Sequence, residues 1–234
     1  MERNAFGVSV LMPCLNEEKT IAACIEDAKK FLTEHQLTGE VLVADNHSTD
    51  ASAKLAKEHG ARVVTVSSRG YGSALLGGIQ AANYPFIIFA DGDGSYNFLE
   101  IKPFYDTLIE GADVVIGNRF QGGIEKGAMP WLHRYVGVPF LSRTGRKLYG
   151  APVHDFHCGL RGVRKEAVLS LGLCTTQMEF ASEMIVKAAG KGLILKEIPC
   201  RLYKDKRDGK SHLRTFRDGM RHLLFLIHPA WFEK

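Results

Sequence analysis

Apolar runs and polar breaks alternate along this chain with two periods. Short apolar runs at 7-13, 40-45, 61-66, 86-91 and 112-117 have strand length and are bounded by turn residues. The segments between them, 16-35, 50-59, 71-82 and 97-110, read as helices; in the first, Ile21, Cys24, Ile25, Ala28, Phe31 and Leu32 keep a helical spacing. Strand runs alternating with helices predict an α/β domain with a mainly parallel sheet and helices on both faces. Gln121 to Pro130 reads as a Gly-rich loop, and Trp131 to Tyr149 as a helix that opens after Pro130. Residues 200-214 are polar and rich in Lys and Arg, a long loop suited to closing over a bound diphosphate.

The break after the fourth run carries the most specific chemistry. Phe86-Ile87-Ile88-Phe89 leads directly into Asp91-Gly92-Asp93-Gly94, two carboxylates one residue apart at a strand's carboxyl end. Ligands of open α/β sheets bind in the crevice at those ends. Glycines there admit a bulky phosphate, and hard oxygen ligands suit Mg²⁺ or Mn²⁺ shared with phosphates. Asp-Gly is also ordinary turn chemistry, so these residues alone leave both readings open. A second strand end follows Val41-Leu42-Val43-Ala44. There Ser48 or Asp50 caps the next helix, and Asp45 remains as a further carboxylate on the same edge. The first run ends at Pro13 and opens through Asn16-Glu17-Glu18, so polar groups from three strand ends converge.

These residues together resemble glycosyltransferase family 2, a family of GT-A (Rossmann-like) fold. Pro13-Cys14-Leu15-Asn16-Glu17-Glu18, Asp45-Asn46-His47-Ser48-Thr49-Asp50, Arg69-Gly70-Tyr71-Gly72, Asp91-Gly92-Asp93 and Gly117-Asn118-Arg119 stand in that family's order. Asp155-Phe156-His157-Cys158-Gly159-Leu160-Arg161, Phe180-Ala181-Ser182-Glu183 and Arg207-Asp208-Gly209-Lys210-Ser211-His212-Leu213 resemble the dolichyl-phosphate mannose synthase and polyprenyl-phosphate glycosyltransferase branch. Three positions depart from the pattern: Asn46 where Asp is frequent, Cys158 where Ser is frequent, and Tyr96-Asn97-Phe98 where a Pro-rich segment is common. The resemblance spans nearly the whole chain. It implies one catalytic domain over 1-234, with a nucleotide-sugar half at 1-119, an acceptor half at 120-213 and an amphipathic C-terminal helix and tail at 214-234.

The resemblance also assigns expected roles. Asp91 and Asp93 would hold Mg²⁺ or Mn²⁺, whose charge stabilises a diphosphate leaving group. Pro13, Asn16, Glu17, Asp45, Arg69, Gly70, Asp91, Gly92 and Asp93 would line the pocket for a UDP- or GDP-hexose, with Asp45 on the base or ribose. The helix opening at Ser73 either offers amides to the donor phosphates or simply starts a helix. Arg119 is expected to contact phosphate. Arg119, Arg143, Arg161, Arg207 and Ser211, with Arg146 nearby, would surround an acceptor phosphate. Asp155 would be the base for a hydroxyl acceptor, or else would orient Arg161 or cap a turn. Asp93, Asp155 and Arg119 are the expected catalytic residues.

Composition changes this picture little. A net charge of +4 on 234 residues permits an anionic substrate or membrane surface, and no basic run interleaved with aromatics suggests nucleic acid. Five cysteines without paired C-x-x-C spacing indicate neither a disulfide framework nor a zinc site, which fits a reducing cytosol. His154, His157 and Cys158 invite a metal reading, but on a short strand alternate residues would face opposite sides. No signal peptide is visible and no apolar run reaches the roughly 18 residues that span a bilayer, so a cytoplasmic protein is expected. Leu213, Phe216, Met220, Leu223, Leu224 and Ile227 keep a helical spacing opposite Arg214, Arg217 and Arg221. That stripe either packs into the core or touches the cytosolic face of an anionic membrane. The expected reaction is inverting transfer of a hexose from the nucleotide sugar to a dolichyl or undecaprenyl phosphate. Transfer to a soluble hydroxyl acceptor is the runner-up, and a non-transferring nucleotide-sugar-binding protein or a nucleotidyltransferase comes after it.

Overall fold

A computed structural model of the chain describes residues 6–207 and 215–232. Seven strands form one sheet: β1 (Val8–Cys14), β2 (Gly39–Asp45), β3 (Arg62–Thr65), β4 (Phe86–Phe89), β5 (Val114–Asn118), β6 (Arg161–Arg164) and β7 (Leu195–Pro199), in the order β3-β2-β1-β4-β6-β5-β7. The pairs β1–β2, β1–β4, β2–β3 and β5–β7 are parallel, and only β6 runs against its neighbours β4 and β5. The helices are α1 (Ile21–Glu34), α2 (Ser52–Glu58), α3 (Tyr71–Ala81), α4 (Lys102–Ile109), α5 (Arg119–Gly122), α6 (Val138–Tyr149), α7 (Lys165–Leu169), α8 (Phe180–Gly190) and α9 (Thr215–Ile227). Every residue of β1, β4 and β5 is buried, as a sheet covered on both faces requires.

The α/β expectation and the five expected strands hold. The antiparallel β6 was not anticipated, because four residues with Arg at both ends do not read as a buried strand. Helix α1 starts at Ile21 rather than at 16, since Asn16 adopts a left-handed φ of 58° and the chain turns before the helix begins. Its inner face is the expected one: Ile21, Cys24, Ile25, Ala28 and Phe31 are buried. Residues 154–160 form turns, not the short strand expected. The helix after Pro130 runs from Trp131 through a π-turn at His133–Gly137 into α6. Val138 N–H bonds back to His133 O there, and Pro139 has no N–H with which to continue an ordinary ladder.

Helix α9 is turned relative to its expected stripe. Asp218, His222, Phe225 and Leu226 are buried, while Met220 and Ile227 are exposed. Polar anchors set that rotation: His222 Nδ1 meets Ser182 Oγ at 2.8 Å, and Arg221 pairs with the buried Glu179. Leu213 and Arg214 lie outside the described residues.

Candidate active site

Winding reverses between β1 and β4, because β2 and β3 lie on one side of β1 and the other strands on the opposite side. A crevice opens at the carboxyl ends of the strands at such a point. Pro13 is buried near the end of β1, and a Cβ placed on Gly92 would come within 4.0 Å of Pro13 O and 2.9 Å of Ile21 Cδ1. Thr20 Oγ1 donates to Gly92 O at 2.7 Å, so the Asp91-Gly92-Asp93 turn is sewn to the start of α1.

Three acidic side chains meet in this crevice. Burial pushes the Asp91 carboxyl up to about 7 and the neighbouring Asp93 adds to the shift, against hydrogen bonding from Tyr71 and the charges of Arg207 and Arg119. Glu17 is likewise pushed up to about 7 by burial, despite Arg207, with Asp93 and Asp91 adding to the rise. One Glu17 oxygen accepts from Arg207, while Oε2 is buried without a hydrogen-bond partner. Tyr71, the first residue of α3, had no expected role although it lies within a recognised motif.

Arg207, expected near an acceptor phosphate, lies in this acidic crevice. Its guanidinium reaches Asp93 Oδ2 at 2.9 Å, Glu17 Oε1 at 3.0 Å and Asp205 Oδ2 at 2.5 Å. The segment bearing it lies across the turn, with Tyr203 N–H on Ser95 O at 2.9 Å and Lys206 N–H on Asp93 O at 3.1 Å. Gly94, at φ 79°, is closed over by Lys206, whose Cδ would lie 3.1 Å from an added Cβ. Ser211 lies outside the described residues.

On the nucleotide side, Asp45 ends β2 opposite Cys14 and is 6% exposed. Asn16 Oδ1 accepts from Thr49 N–H at 2.8 Å, and Asn16 N–H donates to Ser48 Oγ at 3.0 Å, which locks the two loops together. Asn46 was missed as a structural determinant. Its Nδ2 donates to Val66 O at 3.3 Å and Ser68 O at 2.7 Å, while its Oδ1 accepts from Gly70 N–H at 2.8 Å. An Asp could not donate those two bonds, so the departure from the family pattern has a local cause. Asp50 does tie the start of α2, accepting from Ser52 N–H at 2.9 Å. Arg69 is exposed. The expected phosphate role for the α3 terminus is not supported: Ser73 N–H donates to Thr176 O at 3.2 Å, and an added Cβ at Gly70 would lie 2.0 Å from that oxygen.

Asp155, Arg119 and Arg161, expected on the acceptor side, have partners within the protein. Asp155 is fully buried, and Arg119 grips it with Nε to Oδ2 and Nη2 to Oδ1, both at 2.7 Å, while Arg119 N–H adds 3.2 Å. Burial opposes the Arg119 charge, but Asp155 more than offsets it and holds its pKa well above the usual value. Asp155 thus pairs with Arg119 rather than with Arg161, and it also caps its own turn, accepting from His157 N–H at 3.4 Å. Glu197 Oε1 accepts from the N–H groups of His154 and Asp155, each at 2.8 Å, fixing the loop from its other side.

Arg161 is 2% exposed and spends its donors on the carbonyls of Cys158, Ala181 and Phe156 at 3.0, 2.9 and 2.7 Å. It knits the loop and presents nothing to an acceptor. Arg143 and Arg146 lie exposed on α6 and do not join the buried group. The loop itself does reach the acidic pair, because an added Cβ at Gly159 would lie 2.9 Å from Asp91 Oδ2, and Gly159 N–H donates to Tyr96 Oη at 3.0 Å. Cys158, where the family favours Ser, packs its sulfur 3.5 Å from Cys200 and 3.6 Å from Tyr96 Oη.

The family description "Glycosyl transferase family 2" matches residues 9–172. The chain belongs to glycosyltransferase family 2. It is 41% identical over 224 residues to a low-salt glycan biosynthesis hexosyltransferase of Haloferax volcanii, covering 95% of this chain and 54% of that protein. The chain thus spans about half the length of that relative. A dolichyl-phosphate hexose transferase of Haloferax volcanii is 31% identical over 212 residues, covering 91% of this chain and 89% of the relative. Among solved structures, glucosyl-3-phosphoglycerate synthase from Mycobacterium tuberculosis in complex with Mn²⁺, UDP and glucosyl-3-phosphoglycerate superposes with a TM-score of 0.76 at 22% identity. That match covers 96% of this chain and 82% of that one, and it shows the GT-A fold.

For a family 2 glycosyltransferase the acidic crevice fits a divalent ion. Two carboxylates repel each other, and the buried Glu17 Oε2 is left with no donor. Among the described residues no group of three His, Cys, Asp or Glu side chains closes around an ion by itself. Mg²⁺ is commonly held by one or two carboxylates with the remaining positions left to phosphate oxygens and water, so Asp91 and Asp93 are the residues that would hold it.

Proposed function

We propose that this glycosyltransferase moves a hexose from a nucleoside diphosphate hexose to the phosphate of a polyprenyl carrier, with inversion, using Mg²⁺ or Mn²⁺ held by Asp91 and Asp93. The observation that carries the acceptor assignment is the sealed Asp155. A sugar or alcohol hydroxyl needs a base within hydrogen-bond reach, and the carboxylate expected to serve is bound on both oxygens by Arg119. A phosphate monoester, with a second pKa of about 6, is already a nucleophile at neutral pH. The dolichyl-phosphate hexose transferase among the relatives supports the same reading.

When bound, the cation neutralises charge on the departing diphosphate. The protein's part is positional. Tyr71 orients Asp91 through a hydrogen bond, Asp45 would face the nucleoside, and the Asp155–Arg161 loop walls the crevice beside Asp91. Arg207 offsets part of the carboxylate charge here, and its guanidinium would suit the oxygens of a diphosphate.

The test is to supply the protein with UDP- and GDP-hexoses and either a short polyprenyl phosphate or a panel of soluble hydroxyl acceptors, with Mn²⁺ or with EDTA. Glycolipid formed only with metal is the expected result. Transfer to a hydroxyl acceptor with the polyprenyl phosphate left untouched would overturn the reading.

A further inference from the structure

The helix from Trp131 to Tyr149 is the least buried element beside the site. Its inner side packs on the Asp155 loop: Leu141, Ser142 and Gly145 are buried, and Ser142 Oγ accepts from Phe156 N–H at 3.2 Å. An added Cβ at Gly145 would lie 2.4 Å from the Phe156 ring. Its outer side carries Trp131, Leu132, Tyr135, Val136, Phe140 and Leu148, exposed by 42–68%. Helix α9, by contrast, exposes only Met220 and Ile227 as large apolar side chains among its described residues.

Charge decides what covers this face. From Lys126 to His154 the sequence has no Asp or Glu, while Lys126, Arg134, Arg143, Arg146 and Lys147 all fall within it. These five cations exceed the net charge of +4 of the entire chain, so the positive charge is concentrated here. A second copy seated on this face by two-fold symmetry would bring like charges together. Large apolar side chains interleaved with cations match an anionic bilayer surface, which takes the apolar groups below its headgroups and attracts the cations.

We infer that the outer face of the 131–149 helix docks the protein on an anionic lipid bilayer, with Trp131 and Phe140 inserted and Arg143 and Lys147 at the headgroups. This places the Asp155 loop, and Asp91 behind it, about one helix diameter of 10 Å from the lipid. The inference rests on the membrane setting of the proposed acceptor but not on its chemistry, and vesicle binding tests it without any transfer reaction.

The experiment is co-sedimentation of the full chain with phosphatidylcholine vesicles, with and without phosphatidylglycerol. Binding is expected only with the anionic lipid and should weaken with salt. One cation near such a surface is worth roughly a fivefold change in partitioning, so Arg143→Gln with Lys147→Gln should lower binding about 25-fold. Trp131→Ser with Phe140→Ser should abolish it, leave the thermal melt in place and preserve transfer to a short polyprenyl phosphate in detergent. Met220→Ser with Ile227→Ser should bind as the parent does. The inference is overturned if the parent ignores anionic vesicles, if only the α9 pair matters, or if Trp131→Ser with Phe140→Ser instead dissolves a dimer. Loss of transfer in detergent by the parent, with vesicle binding intact, would refute the proposed reaction and leave the docking face standing.

Discussion

Replacing Asp155 by Asn separates a structural carboxylate from a catalytic base. The side chain is fully buried and takes three hydrogen bonds from Arg119, two of them from the guanidinium at 2.7 Å. Asn keeps the shape but removes the charge, leaving the Arg119 cation buried without its counter-charge. Removing one partner of a buried pair costs about 3–5 kcal/mol, a large part of the roughly 5–15 kcal/mol that holds a domain folded. At about 2–4 °C per kcal/mol for a chain of this size, the melting temperature should fall by some 6–20 °C. The double variant Arg119→Met with Asp155→Leu should lose less than the two single variants combined, because no unpaired charge remains. Urea denaturation of the four proteins gives the coupling energy directly, and initial rates at 15 °C, where the variants stay folded, give the catalytic effect. Asp155→Asn should retain measurable turnover at that temperature. A variant as stable as its parent to within about 1 kcal/mol, yet slowed by the roughly hundred- to ten-thousand-fold of a lost base, would refute this account.

Other consequences concern the acidic crevice. Arg207→Gln should raise the affinity for Mn²⁺ alone about tenfold, roughly 1.4 kcal/mol, because the cation no longer displaces a guanidinium from Asp93 and Glu17; unchanged affinity by calorimetry or by the Mn²⁺ resonance signal would argue against that competition. Asp93→Ala should abolish metal-dependent donor binding, and full turnover in EDTA would count against any metal role. Glu17 is raised to about 7, so the folded protein keeps a proton that the unfolded chain has lost above about pH 4.5. The metal-free protein should therefore lose up to about 3 kcal/mol as pH rises from 4.5 to 7, with Asp91 acting in the same direction. A metal-free melting temperature that climbs across that range would show the sign to be wrong. Asn46→Asp should loosen the 66–70 turn and cost about 1–3 kcal/mol, since two carbonyls lose their donor; a neutral denaturation result would refute that role.

The placement of the residues expected around the donor was legible because it is local. A parallel strand must deliver its side chains at its carboxyl end, so Asp45, Asp91 and the Pro13-to-Glu17 turn could be read from apolar runs and the residues that follow them. The acceptor side was not legible in the same way. Whether Asp155 meets Arg119 or Arg161 depends on β6 entering the sheet antiparallel between β4 and β5, and nothing in Arg161-Gly162-Val163-Arg164 announces that. Arg161 shows the limit plainly: an arginine in a polar motif reads as a ligand for phosphate, yet two backbone carbonyls of a buried turn and one of α8 take up its guanidinium. Tyr71 was within a recognised motif, but its bond to Asp91 crosses from α3 to the end of β4 and has no sequence spacing to betray it.

The same long-range placement explains why the crevice is built around a charge deficit. Asp91, Asp93 and Glu17 would be an expensive set to bury for stability alone, since burial raises the pKa of both Asp91 and Glu17 and Arg207 offsets only part of that cost. A purely structural site would give each buried carboxylate its own cation, as Asp155 has Arg119. Here the compensating guanidinium is carried by a segment that holds the turn through Lys206 N–H and Tyr203 N–H, and by the Asp205, Glu17 and Asp93 contacts of Arg207. Arg207 spreads its guanidinium over Asp205, Glu17 and Asp93, whereas Arg119 spends its own on Asp155 alone, whose loop is fixed again by Glu197. The two arginines thus differ in what they face: Arg119 closes on one fully buried carboxylate in the wall of the crevice, while Arg207 meets three carboxylates and leaves the acidic pocket short of positive charge, the condition a divalent cation would suit.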